Sequence, residues 1–175
     1  VDEDGKLRGI VTKADIGLYF ASKGTGIHSV HDFMTPNPIT ARQSQSIFLV
    51  ASLMSENEIS RIVVTDEENE PVGVITLADI VMISSLLKPA KVMRKKKPVF
   101  LKGILFPPVG IHLLTAKDFM TADPISVNED ADLADAARLM TKHGVSGLPV
   151  INNAGKLVGI ITKSDLTRAV ASLKK

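Results

Sequence analysis

The sequence contains no cysteine, which excludes a disulfide framework, thiolate metal ligation and a cysteine nucleophile, and makes the cytoplasm the expected compartment. Charge of one sign is missing too: 21 Lys and Arg stand against 19 Asp and Glu, a formal net charge of +2. The whole-molecule field therefore exerts no strong pull on nucleic acid or an anionic membrane. Long hydrophobic runs are absent. The most apolar stretch, Val99 to Leu114, is broken by Pro107-Pro108 and Gly110 and falls short of the roughly 20 residues of a bilayer span, so no membrane helix is expected. The opening Val1-Asp2-Glu3-Asp4-Gly5 reads as a polar turn within a domain and not as a signal peptide. Of the histidines His28, His31, His112 and His143, only the first two are closely spaced. Two unaccompanied histidines in a linker are most simply solvated, and no metal site is expected. What remains, 45 % hydrophobic and 23 % charged residues in a chain of 175, is the composition of a soluble globular protein of one ordinary or two small domains.

A repeat organises the chain. Asp32-Phe33-Met34-Thr35 recurs as Asp118-Phe119-Met120-Thr121, and the register then holds without a gap to Leu87 and Leu173. A partial third copy opens the chain, where Gly5-Lys6-Leu7, Gly9-Ile10, Thr12-Lys13 and Asp15 match Gly155-Lys156-Leu157, Gly159-Ile160, Thr162-Lys163 and Asp165. Within each complete copy a short strand (Pro38 to Thr40, Pro124 to Val127) leads into a helix. Its apolar residues fall on one face: Ile47, Val50, Ala51 and Met54, or Leu133, Ala136, Ala137 and Met140. Met54 and Met140 are thereby expected in the core. Two β-branched strands follow, Ile62 to Val64 and Val72 to Ile75, or Leu148 to Ile151 and Val158 to Ile161, each pair split by a polar turn. A closing helix starts at Leu77 or Lys163. The expected fold class is α/β (α+β), a tandem of β-α-β-β-α units.

The segmentation read from this pattern has four parts. Residues 1–31 hold the end of an incomplete repeat and a short linker, 32–88 a repeat, 89–117 a linker with the basic cluster Arg94-Lys95-Lys96-Lys97, and 118–175 a second repeat. Fewer than about 60 residues bury too little surface to be robust alone, so two copies are expected to pack into one core. The basic cluster reads first as a solvated linker; no aromatic residues interleave with it, which weakens a nucleic-acid role.

The D-F-M-T-x-x-P-I-[TS] segments, the Val145 to Val150 strand and the G-h-[IV]-T-x-x-D turn (h, apolar) read at Gly9 to Asp15, Gly73 to Asp79 and Gly159 to Asp165 together resemble the cystathionine-β-synthase (CBS) domain family. Members pair into a Bateman module. The repeats are similar to those of the γ subunit of AMP-activated protein kinase, which carries four. The resemblance implies a regulatory module, not an enzyme, that needs no cofactor. It implies binding of AMP, ADP or ATP, with S-adenosylmethionine as a further candidate, in clefts between repeats.

A Thr-x-x-Asp turn also explains itself without a ligand, because threonine at a helix N-cap with an acidic residue three positions on forms a capping box worth about 1 kcal/mol. The two roles are compatible. By resemblance Asp165, Asp79 and Asp15 would accept from ribose hydroxyls, while Thr162, Lys163, Arg61, Thr76 and Thr12 would lie toward phosphate at the helix start. The family takes each cleft crosswise, so Thr76 and Asp79 would face Ile125, Ser146 and Gly147, and Thr162, Lys163 and Asp165 would face Ile39, Ser60 and Arg61. Ile39 and Ile125 would wall the adenine. Arg61 stands where the other copy has Gly147, and Lys163 where it has Leu77, so a phosphorylated ligand is expected in the Arg61/Asp165 cleft. Ser60-Arg61 stands for the His-Arg pair of the kinase subunit, one potential cation fewer. The partners expected are the adenosyl ligand, a second copy in a homodimer and a regulated protein. A ligand-free dimerisation module and nucleic-acid binding through Arg94 to Lys97 are the alternatives. No activated nucleophile or general base with an orienting partner can be read.

Overall fold

β-Branched runs become strands and apolar-periodic runs become helices. In the computed structural model, which describes residues 1–23, 26, 28–86, 99–101, 104–106 and 114–172, the order begins with α1 (Lys13–Lys23), single-turn α2 (Val30–Phe33), β1 (Thr35–Pro36) and β2 (Thr40–Arg42). It continues with α3 (Ile47–Glu56), β3 (Arg61–Thr65), β4 (Pro71–Thr76), α4 (Leu77–Leu86), β5 (Val99–Leu101) and β6 (Ile104–Phe106). The second copy supplies single-turn α5 (Ala116–Phe119), β7 (Thr121–Ala122), β8 (Val127–Asn128), α6 (Leu133–Lys142), β9 (Gly147–Ile151), β10 (Leu157–Thr162) and α7 (Lys163–Ser172). The basic cluster Arg94 to Lys97 lies outside the described residues, as do His112 and most of the 89–117 linker. No described helix is long and apolar enough to cross a membrane.

The chain divides into two compact units, and neither is a run of consecutive residues. One comprises Val1–Asn37, Ile125–Ala154 and Val158–Lys175, the other Pro38–Pro124 and Gly155–Leu157. The first is built on a sheet of order β1-β10-β9-β8, the second on β2-β3-β4-β7. Each sheet takes an edge strand from the D-F-M-T segment of the other copy: Thr35 pairs with Ile160 and Pro36 with Gly159, while Thr121 pairs with Val74 and Ala122 with Gly73. Backbone hydrogen bonds fix the segment that precedes each edge strand. In the first unit the Val30 and His31 amides donate to the Ala131 and Glu129 carbonyls at 2.9 and 3.0 Å, and in the second Ala116 and Lys117 donate to Gln45 and Gln43 at 2.8 and 3.0 Å. Val30 and Ala116 are fully buried. A short edge strand whose carbonyls and amides are paired on one side offers little template for unwanted association.

Both cores follow the helical faces. In the first unit Leu133, Ala136, Ala137 and Met140 of α6 pack with Leu148, Val150, Ile161 and Leu166, and Phe20 of α1 joins them at 2 % exposure. The closing helix of the partial copy is therefore part of this core. In the second unit Ile47, Val50, Ala51 and Met54 of α3 pack with Ile62, Val64, Ile75 and Ile80. Each of these two helices starts on a side-chain cap, Ser46 accepting from Phe48 N–H at 3.2 Å and Asp132 from Ala134 N–H at 2.7 Å. Asp132→Ala is expected to cost about 1 kcal/mol in chemical denaturation, with the transition otherwise unchanged.

Two expectations shift. The opening strands start later than the apolar pattern suggested, at Thr40 and Val127, because Pro38 and Pro124 have no N–H for a ladder and the residues before them, Asn37 and Asp123, turn the chain at φ of 47° and 50°. Within the stretch read as linker, β5 and β6 form an antiparallel hairpin with Val99 opposite Phe106.

Candidate functional site

The three Thr-x-x-Asp turns form where a hairpin's second strand or its counterpart runs into a helix. Thr76 N–H and O–H both donate to Asp79 Oδ2 at 2.7 Å. Thr162 N–H and O–H donate to Asp165 Oδ2 at 2.7 and 2.8 Å, and Thr12 N–H and O–H to Asp15 Oδ2 at 2.8 and 2.6 Å. The capping role of these pairs is thus present at all three helix starts. It also recurs where no ligand role was expected, at Ser29/Asp32 and Thr115/Asp118. The motif alone consequently does not mark a binding turn, and burial and charge must separate its copies.

They differ in both. Asp15 is exposed, Asp79 half-buried and Asp165 only 4 % exposed. The Thr12 hydroxyl, and then its amide, hold the Asp15 carboxyl below the usual carboxylate range; the Thr115 amide, and then its hydroxyl, do the same for Asp118. Because these native values are lowered, the stability they contribute is complete above the ordinary carboxylate range and is lost as pH falls through the lowered values. A carbon-detected NMR titration is expected to give midpoints for Asp15 and Asp118 below those of the same residues in the unfolded chain.

Strand pairing brings a second expected group to each turn. Arg61 lies opposite Thr76 in the β3–β4 ladder, and the Leu77 amide donates to the Ser60 carbonyl at 3.0 Å. The Lys163 amide donates to the Ser146 carbonyl at 3.1 Å, which sets Ser146-Gly147 beside Thr162-Asp165. Within each unit, then, the Ser-Arg or Ser-Gly pair and the Thr-x-x-Asp turn of the same copy are neighbours. The crosswise combinations draw one half of each cleft from each unit. Ile39 and Ile125 are half-buried and pack partly against their own cores. Lys13 Nζ donates to Ser164 Oγ at 2.8 Å, which joins the partial copy's turn to that of the last copy.

One residue at the Asp165 turn escaped the sequence reading. Arg168 Nη2 stands 2.8 Å from Asp165 Oδ1 and donates to the Phe33 carbonyl at 2.7 Å, with the arginine side chain 58 % and the aspartate side chain 6 % exposed. An opposite-charge pair at i and i+3 on a helix was the available signal. Among the described residues no group of three or more His, Asp or Glu could hold a metal ion. His28 packs its ring edge-on against Phe33, with centroids 4.8 Å apart.

Comparison with known proteins places these features. A family model described as CBS domain matches residues 30–85 and 116–172. An uncharacterised protein of Methanocaldococcus jannaschii is 37 % identical over the whole chain, which spans 40 % of that protein's length. Among solved structures, CBSX2 of Arabidopsis thaliana in complex with AMP matches 85 % of this chain and 100 % of its own at 29 % identity and a TM-score of 0.63. The CBS domain pair of protein MJ0100, solved with 5′-methylthioadenosine and S-adenosyl-L-methionine, matches 85 % of this chain and 99 % of its own at 26 % identity and a TM-score of 0.64. A protein of Methanocaldococcus jannaschii proposed as an archaeal homologue of the AMP-activated kinase γ subunit shares the fold over 97 % of this chain and 57 % of its own, at a TM-score of 0.69 and 21 % identity.

Proposed function

The chain belongs to the CBS domain family, and on that premise we propose that it is a regulatory module that binds adenosyl ligands at its Thr-x-x-Asp turns and passes their occupancy to a partner. The observation that carries this reading is that the two CBS-pair structures sharing its fold at 26–29 % identity hold AMP in one case and 5′-methylthioadenosine with S-adenosyl-L-methionine in the other. Both ligand sets contain adenosine, so the shared chemistry is a purine and a ribose diol, with or without phosphate. The turn residues suit that chemistry. Asp79 and Asp165 place a carboxylate beside a helix start, where it accepts from ribose hydroxyls, and exposed N–H groups with the positive end of the helix favour a phosphate.

In this reading AMP, ADP or ATP occupies the turn of Thr162, Lys163 and Asp165, where a lysine stands in place of Leu77, while S-adenosylmethionine suits the Asp79 turn. Ser60, Ser146, Gly147, Ile39 and Ile125 contribute backbone and apolar surface to the base. The module carries no catalytic step of its own. A homodimer and a regulated protein partner in the cytoplasm complete the proposal, with the ligand acting by its differential affinity for two arrangements of that assembly. Calorimetric titration of the intact protein with AMP, ATP, 5′-methylthioadenosine and S-adenosylmethionine tests it. Saturable heat from at least one is expected; none from any of the four, with the protein folded, would refute the reading.

A further inference from the structure

The three Thr-x-x-Asp turns carry different residues one helical step beyond the aspartate: Leu18 after Asp15, Met82 after Asp79 and Arg168 after Asp165. Only the last is a cation. Building on the adenosyl reading, we infer that Arg168 is the specificity-determining residue that makes the Thr162–Asp165 turn select a phosphorylated adenosyl ligand over an uncharged one.

The geometry divides the Asp165 carboxylate between two tasks. Oδ2 is taken by the Thr162 N–H and O–H, and Oδ1 is paired with Arg168 Nη2 at 2.8 Å. At Asp79, by contrast, Oδ2 is taken in the same way by Thr76, and among the described residues no group engages Oδ1. A bare carboxylate repels an incoming phosphate and welcomes a hydroxyl or a sulfonium cation. A carboxylate already matched by a guanidinium does not repel it, and Lys163 two residues before Asp165 tips the balance at this turn to positive.

Arg168 is also set in place. Its Nη2 is shared with the Phe33 carbonyl at 2.7 Å, so the guanidinium plane is held from two sides before any ligand arrives. Among the described residues nothing accepts from Nε or Nη1, and the side chain is 58 % exposed. A planar fork held at one nitrogen and open at the others suits bidentate contact with a phosphate. Met82 at the equivalent position has a thioether and no N–H to donate.

AMP and adenosine differ only in the phosphate, and their affinities for the intact protein test the inference in wild type, Arg168→Met and Arg168→Lys, each variant checked by thermal unfolding. Arg168→Met is expected to weaken AMP about tenfold and to leave adenosine within a factor of about two; Arg168→Lys, which keeps the charge and loses the fork, should fall between. Equal weakening of both ligands, or AMP binding that does not change, overturns the inference while leaving adenosyl binding intact. If wild type binds neither ligand, the inference fails, while binding of 5′-methylthioadenosine or S-adenosylmethionine would still uphold the adenosyl reading.

Discussion

Asp165→Ala is expected to weaken adenosyl binding at its turn by at least tenfold and to lower stability by about 1–3 kcal/mol. The stability effect follows from what the carboxylate holds. It is 4 % exposed, caps α7 through two bonds from Thr162 at 2.7 and 2.8 Å and neutralises Arg168 at 2.8 Å. Alanine strips the Thr162 amide of its acceptor and leaves the guanidinium with the Phe33 carbonyl alone. The ion pair itself contributes little to this sum, since Arg168 is more than half exposed and solvent screens it. Asp79→Ala serves as the comparison. It removes the same cap from α4 at a carboxylate that is only half-buried, so its stability cost is expected to be smaller. Urea denaturation followed by calorimetric titration of the folded variants separates the two effects, and a ligand affinity unchanged in both variants would remove the turns from the binding site.

Gly159→Ala and Gly73→Ala are each expected to destabilise by about 1–3 kcal/mol, although alanine is the mildest change available. The reason lies in the exchanged edge strands. A Cβ on Gly159 would stand 3.0 Å from Met34 Cγ, closer still to its sulfur and 3.1 Å from the Thr35 carbonyl, and one on Gly73 would stand 2.8 and 2.9 Å from Met120 Cγ and Cβ. In both places the methionine of a D-F-M-T segment packs against the glycine of the other copy's central strand, in the space that only glycine leaves. Cavity and overpacking effects at one contact do not add. Gly159→Ala combined with Met34→Ala should therefore cost less than the sum of the single changes, and strict additivity would contradict the contact.

This packing explains why part of the fold could be read and part could not. The hairpins β3–β4 and β9–β10 have five- and six-residue β-branched strands, long enough for alternation to show, and α3 and α6 bury the apolar faces that the spacing of Ile47, Val50, Ala51 and Met54, or Leu133, Ala136, Ala137 and Met140, marks out. β1 and β7 have two residues each, too few for any period. Their place in the other copy's sheet is a long-range pairing that no local pattern encodes; only the glycine facing each methionine hints at it. Phe20 likewise enters the first unit's core from a helix whose own copy is incomplete.

The site was legible to a similar depth. Thr-x-x-Asp marked three turns at helix starts, yet the same chemistry caps α2 and α5, so the pattern reports a helix start before it reports a ligand. Ser60-Arg61 and Ser146-Gly147 were read as walls of the partner's cleft through the family, and within each unit the ladder sets them beside the turn of their own copy. Arg168 needed the third dimension. Its charge is visible as an i, i+3 partner of Asp165, but its anchor on the Phe33 carbonyl comes from the exchanged segment far away in sequence.

The most direct measurement of the central claim is the amide NMR spectrum of the isotope-labelled protein as AMP and, separately, S-adenosylmethionine are added. Adenosyl binding at the turns predicts saturable shifts that are largest among the amides of Thr162 to Asp165 or of Thr76 to Asp79, with AMP acting on the former. Spectra in which neither ligand moves either group of amides saturably would contradict it.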